Sequence, residues 1–300
     1  KQGDGARDNL HSVVDDANLK TVFTLGPRHT LTLKGNYYGE DSQVTYSGLT
    51  LAEWEADPRQ NPFQNDAFDG WRLGASARHT WLVGSQGVLT TQVYGSRFSR
   101  DWWRQSSNSG QRPNDRVDPA CGGMANLLTT CGNEGRLRDF DHFGVEPRLR
   151  TAVRLFGLRS EAEVGVRAHF EVQERRQENG DTPMAREGRL VENNRRENQA
   201  FSAFVQDRLL LNDFTLSAGV RFEAIGYGRT NRLANDGAGA SGETSLTQWV
   251  PGVGLTWAPS PALNVFGGAH RGFAPPRTED VISQSGGVVD RSAELSWNYE

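Results

Sequence analysis

Arginine and glutamate recur at alternate positions through much of this chain, and that spacing bounds the chemistry open to them. Glu146, Arg148, Arg150 and Arg154 form one such row, and Glu161, Glu163, Arg167 and Glu171 another. Shorter rows hold Arg72 with Arg78 and Arg221 with Glu223. A period of two places each row on one face of a β-strand. Carboxylates crowded by guanidinium groups form ion pairs more readily than they act as general acids or bases. The arginines have two uses. They can pair within a hydrated wall, or a subset can meet an anionic ligand, because the guanidinium fork matches a carboxylate bidentately.

Other constellations that could react are missing. The sequence holds no G-x-S-x-G elbow and no P-loop. Gly237–Gly242 (GAGASG) fits G-x-G-x-x-G by letter, but no buried strand precedes it and no helix follows, so it reads as a loop. His11, His29, His79, His142, His169 and His270 are scattered singly in sequence, which predicts no metal site. Cys121 and Cys131 lie in a Gly-, Asn- and Pro-rich stretch. A local disulfide in an oxidising compartment fits them, a pair of free loop thiols is the alternative, and zinc ligation lacks a second pair at ligand spacing. No catalytic residues and no resident cofactor are expected.

Composition narrows the class. Eight Trp, fourteen Phe and thirty-four Gly in 300 residues argue against disorder, which goes with few aromatics. The net charge of -4 and the lack of a basic run argue against a nucleic-acid partner. No stretch approaches the 18 or so apolar residues of a membrane-spanning helix. A transmembrane barrel stays open, because its strands need only about 10 residues of alternation.

The elements that must position the charges read as strands. About eleven are expected, at 10–25, 29–39, 69–83, 88–104, 141–156, 161–172, 199–211, 214–224, 244–257, 263–273 and 294–300. Their apolar faces are clearest where Phe143, Val145, Pro147, Leu149, Val153 and Leu155 oppose the first charged row, and where Val164, Val166 and Phe170 oppose the second. In 88–104 the phase is ambiguous, and the reading favours Tyr94, Phe98 and Trp102 outward. Short turns alternate with long loops at 40–68, 105–136, 177–197 and 229–243; within the first, Thr50 to Glu53 fits a helix capping box. A soluble β-sandwich would also alternate, but its strands usually run about 5–6 residues. Strands of this length, with Trp71, Trp81, Trp102, Trp249 and Trp257 towards their ends, predict an all-β, antiparallel transmembrane β-barrel segment. On position alone, Arg72, Arg97, Arg100 and Arg104, with Trp102 and Trp103, adjoin the two longest loops and are candidate ligand contacts.

Two stretches carry a resemblance. Residues 264–300, NVFGGAHRGFAPPRTEDVISQSGGVVDRSAELSWNYE, resemble the late barrel region of TonB-dependent outer-membrane receptors. Residues 48–64, GLTLAEWEADPRQNPFQ, are similar to an outer loop in the ferric citrate receptor group of that family. The resemblance implies a bacterial outer-membrane receptor for energy-coupled uptake of a ferric siderophore, with ferric citrate as one candidate and a haem, cobalamin or passive porin-like role as alternatives. It adds Arg59, Gln60 and Gln64 to the candidate ligand contacts. It implies outer-membrane lipid, the TonB complex and a ferric chelate as partners. It further implies that residues 1–300 are about half of a 22-stranded barrel domain, with the plug domain and the closing strands outside them.

Overall fold

The computed structural model describes residues 1–45, 48–49, 51–61, 63–105, 132–155 and 157–300. Twelve antiparallel strands form one sheet in strict sequence order. They are β1 (Gln2–Asp4), β2 (His11–Thr24), β3 (His29–Gln43), β4 (Ala67–Val83), β5 (Gly87–Arg104) and β6 (Asn133–Leu155), followed by β7 (Leu158–Gly180), β8 (Arg189–Leu211), β9 (Phe214–Asn231), β10 (Ala240–Ser260), β11 (Leu263–Ala274) and β12 (Glu294–Tyr299). Two short helices sit in the loops, α1 (Leu51–Ala56) and α2 (Thr278–Val281). The helix expected after Thr50 is therefore present as α1, whereas Thr50 itself lies outside the described residues.

At one end of the sheet the connections are tight. Gly26 (φ 134°) and Gly157 (φ 83°) take backbone angles closed to residues with a Cβ, and Asn212 (φ 53°) turns β8 into β9. At the other end lie the long connections.

Six hydrophobic residues are buried among the described residues, too few for a soluble core, and the apolar stripes are exposed instead. Register aligns them: Leu149 pairs with Val164, Val164 with Val205, Val205 with Val220 and Val220 with Pro251. Four strand pairs thus lay one apolar row across the outer face. Trp81 and Trp257 lie near the tight turns, while Trp71 and Trp249 lie ten and eight residues farther along their strands. At about 3.4 Å per residue and a tilt near 40°, those intervals correspond to roughly 20–26 Å of height, which matches the apolar band of a membrane barrel.

The inner face pairs with itself. Arg148 bonds Glu146 and lies 3.8 Å from Glu163. Glu161 meets Arg150 at 3.2 Å and Arg208 at 3.5 Å, and Arg221 bonds Glu223.

Three expectations are corrected. Tyr94, Phe98 and Trp102 face inward. Val93 pairs with Val145 and Leu89 with Leu149, which fixes the odd residues of β5 on the outer face. The inward aromatics are accommodated by specific partners: the Tyr94 ring lies over Gly144, its hydroxyl accepts from Arg167 Nε at 2.9 Å, and Phe98 stacks on Phe140. Second, 177–197 and 229–243 are largely strand, and the loops shrink to 181–188 and 232–239. Beyond the bilayer both faces of the wall are polar, so hydropathy stops alternating while the backbone ladder continues. Third, the strand count is twelve, because β1, three exposed residues paired to β2, carries no apolar pattern.

Candidate functional site

The strand extensions carry the inner face beyond the apolar band, and guanidinium groups collect there. Arg100 and Arg104 come from β5, Arg136 and Arg138 from β6, Arg175 from β7, Arg196 from β8 and Arg229 from β9. Cross-strand register holds them side by side, with Arg100 opposite Arg138 and Arg138 opposite Arg175. Such a cluster survives only if carboxylates and carbonyls offset the repulsion. Glu134 Oε1 takes Arg104 Nε at 2.6 Å and Arg136 Nε at 3.1 Å. Glu192 pairs by charge with Arg175, whose Nε lies 2.7 Å away, and with Arg138, whose Nη2 lies 3.7 Å away. Arg138 also donates to the carbonyls of Leu137 and Arg176, at 2.9 and 2.6 Å.

The third carboxylate arrives from the connection between β11 and β12. This segment folds onto the inner wall as a strap carrying α2. Glu279 Oε2 accepts from Arg196 Nη1 at 2.7 Å, and Oε1 lies 3.7 Å from Arg175 Nη1. Burial works against the charge on Glu279, but its own backbone N–H together with Arg196 and Arg175 outweighs that effect and holds the carboxyl below its ordinary range. Thr278 Oγ1 donates to Asn198 Oδ1 at 3.0 Å, Arg229 Nη1 to the Ile282 carbonyl at 2.8 Å and Asn231 to the Gln284 carbonyl at 3.0 Å. Val281 and Ile282 close against Tyr227, with Ile225 and Leu246 beside them. Tyr227 and Ile225 are apolar residues on the inner face, placed where the strap covers them.

Among the described residues, these seven guanidinium groups face the three carboxylates Glu134, Glu192 and Glu279 and so carry an excess of positive charge. Arg100 has no ion pair among the described residues; its guanidinium lies 5.7 Å from the Trp102 ring centroid, and that of Arg104 lies 5.0 Å from the same ring.

The residues singled out from sequence fall into three groups. Arg72, Arg100, Trp102 and Arg104 share the inner face. Arg97 and Trp103 occupy the opposite face: Arg97 Nε lies 3.9 Å from Asp141, and the Trp103 ring lies over Gly135. Arg59, Gln60 and Gln64 hold a loop together. Arg59 Nη2 lies 3.3 Å from Asp8, Gln60 donates to the Glu53 carbonyl at 2.5 Å, and Gln64 accepts from Asn9 at 2.6 Å. Cys121 and Cys131 lie outside the described residues. Sequence reasoning passed over Arg136, Arg196 and Arg229 because they fell in stretches read as loop, and over Arg138 and Arg175 because they fell between the strand faces and the loops that were read. The alternation of Glu134, Arg136 and Arg138 was the available signal.

Three loops also meet at one buried carboxyl. Asp66 Oδ1 accepts from the Gln105 backbone N–H at 2.6 Å, and Arg186 donates to the neighbouring Asn65 carbonyl at 3.0 Å. Burial pushes Asp66 up from 3.8 to about 7, against the opposing pull of its hydrogen bonds and of Arg104 and Arg186.

A family model described as the TonB dependent receptor-like β-barrel matches residues 16–300. Among solved structures, the ferric citrate transporter FecA in its unliganded form superposes with a TM-score of 0.76 at 20% identity, over 89% of this chain and 37% of that one. The siderophore receptor PiuA from Acinetobacter baumannii gives 0.70 at 11% identity, over 96% and 45%. The ferric yersiniabactin uptake receptor FyuA from Yersinia pestis gives 0.63 at 12% identity, over 100% and 44%. The likenesses are in fold, and the chain spans less than half the length of each of these structures.

Proposed function

The chain belongs to the TonB-dependent receptor β-barrel family of the bacterial outer membrane, a family of receptors and transporters rather than enzymes, and from that premise we propose that it is part of the barrel of a receptor that takes up an anionic ferric siderophore. The observation that carries the reading is the arginine-rich mouth of the inner wall, where seven guanidinium groups meet three carboxylates among the described residues. Ferric chelates presenting carboxylate or catecholate oxygens are anionic, and guanidinium forks suit those oxygens. Partners in this reading are outer-membrane lipid around the apolar band and the TonB complex, which would act through a plug domain outside these residues. Ferric citrate is the finer candidate on the strength of the loop at 48–64, and the structural likeness to the ferric citrate transporter supports it.

Arg100 is the residue most exposed to the test, because it is cationic, half-buried and without an ion pair among the described residues. A charge-assisted hydrogen bond contributes about 1.5–3 kcal/mol. Arg100→Ala in the full-length receptor should therefore weaken ferric-chelate binding by roughly tenfold to a hundredfold. Arg97→Ala, on the outer face, and Arg159→Ala, beside a tight turn, are the controls. Calorimetric titration reads all three, and equal affinity for Arg100→Ala and the controls would remove the mouth arginines from the ligand site.

A further inference from the structure

The self-pairing of the inner wall stops on its β2–β5 side. In β6 to β9, Arg148, Arg150, Arg208 and Arg221 each meet a glutamate of the wall. In β2 and β3, by contrast, Lys20 stands directly opposite Lys34. Lys34 faces Ser76 in β4, and Ser76 faces Tyr94 in β5, so both lysines lie on the inner face. Arg78 joins them: a cavity of about 130 Å³ is lined by Lys20, Thr32, Lys34, Ser76, Arg78 and Gln92, with no carboxylate among these residues. Arg78 donates to the neutral Gln92 Oε1, from Nε at 3.1 Å and from Nη2 at 2.7 Å. Lys20 and Lys34 have no hydrogen bond or ion pair among the described residues. On the same face, Asp16 lies four residues from Lys20 and Glu40 six from Lys34, about 13 and 20 Å along the strands. Glu146, opposite Gln92 in β6, is taken by Arg148.

Like charges directly opposite one another weaken an antiparallel pair. The 300 residues hold thirty arginines and three lysines, and two of those lysines form this pair. The rigid arginine fork serves where the sheet itself sets the carboxylate, as in β6 to β9. An ammonium on a flexible stem can donate to a carboxylate carried by another body. Asn18 and Asn36, paired one step nearer the mouth, add amides that suit peptide groups. A docked polypeptide supplies both kinds of partner, whereas a small inorganic anion supplies only the charge. This chain covers less than half of each matched receptor, and the receptor reading includes a plug domain outside these residues. We propose that the β2–β5 arc is the anchoring side of the wall, holding a carboxylate-bearing face of the plug on Lys20, Lys34 and Arg78, and that the self-neutralised β6–β9 arc is the side from which the plug parts. Separation at β6–β9 leaves each of those four arginines with its glutamate. Separation at β2–β5 leaves two facing ammonium groups without a counter-charge. The inference rests on the receptor reading and adds to it where the plug is held and by what chemistry.

Carbodiimide coupling of the full-length receptor in detergent micelles tests the contact, because it joins an ammonium to a carboxylate only where the two touch. Peptide mapping should find Lys34 joined to an Asp or Glu of the plug. Lys34 joined only to barrel carboxylates, or to none, would overturn the proposal. Lys20→Gln with Lys34→Gln then tests the anchoring. If the lysines face only water, this change removes a repulsion and leaves the plug in place. If they hold the plug, it should raise the ratio of open to closed channels, in planar bilayers at a fixed sub-denaturing urea concentration, by about tenfold or more. Arg150→Gln with Arg208→Gln removes the same charge from the other arc and should leave that ratio within about twofold. No added opening from the lysine pair, or as much from the arginine pair, would overturn the assignment of the two arcs. In each of these cases ferric-chelate titration with Arg100→Ala still decides the receptor reading separately.

Discussion

Asp66 is a carboxyl that three loops enclose, and its titration has a definite sign. Its folded value of about 7 exceeds its ordinary 3.8, so the folded protein holds the proton more tightly than the unfolded chain. The stabilisation that protonation provides is complete below about 3.8 and is lost as pH rises through about 7. The Gln105 amide, which donates to Asp66, should therefore be better protected from exchange at pH 5 than at pH 8, after correction for intrinsic rates. Asp66→Asn should keep the hydrogen bond and flatten that difference. Equal protection at both pH values in the unmodified protein would show that Asp66 is solvated. None of this was legible in sequence, since an Asp in an Asn-rich loop carries no sign of burial. Arg97 shows the complementary limit: its nearness to a long loop was readable, but its face depended on the phase of β5, which the pairings Val93–Val145 and Leu89–Leu149 settle.

At the scale of elements, the strands were legible where they cross the bilayer. There one face meets lipid and the other water, so hydropathy alternates, as Val164 and Val166 against Glu163 and Arg167 do. Substituting Val166 with Arg places a charge in lipid, at about 2–4 kcal/mol near the midplane. Arg167→Gln keeps a polar inner residue, although it gives up the bond to Tyr94. Refolding into lipid vesicles, followed by gel mobility, should rank Val166→Arg well below Arg167→Gln, and the reverse order would invert the wall. Above the bilayer the same strands lost their signal because neither face is apolar. The strap was likewise hidden, for its anchor is four residues of helix. Its hold on Arg196 is sensitive to acid: Glu279 sits below its ordinary 4.5, so its contribution is present above that value and is lost as pH falls through the lower folded value. Glu279→Gln should weaken the strap at neutral pH, and increased proteolysis between residues 283 and 292 would register it. Cleavage no faster than in the unmodified protein would mean that Val281 and Ile282 hold the strap unaided.

The whole molecule sets charges of opposite sense against each other. These 300 residues carry a net -4, yet among the described residues the mouth of the inner wall has seven guanidinium groups and three carboxylates. An approaching anion therefore gains from the local field and is opposed by the distant one. Screening separates the two, because the Debye length falls from about 30 Å at 0.01 M salt to about 8 Å at 0.15 M. At low salt both fields reach the ligand, and at physiological salt only the mouth acts. Local substitutions should therefore still change the rate at which an anionic ferric chelate associates with the full-length receptor at 0.15 M. Arg100→Glu changes the mouth by two charges at a position that forms no ion pair among the described residues, so it should slow association by at least tenfold at 0.15 M. Arg159→Glu, beside a tight turn at the far end of the wall, makes the same change in net charge and should leave that rate within about twofold. Stopped-flow fluorescence, with the tryptophans as reporter, distinguishes the cases. Equal slowing by the two substitutions would mean that overall charge governs capture and that the arginines at the mouth serve only to build the wall.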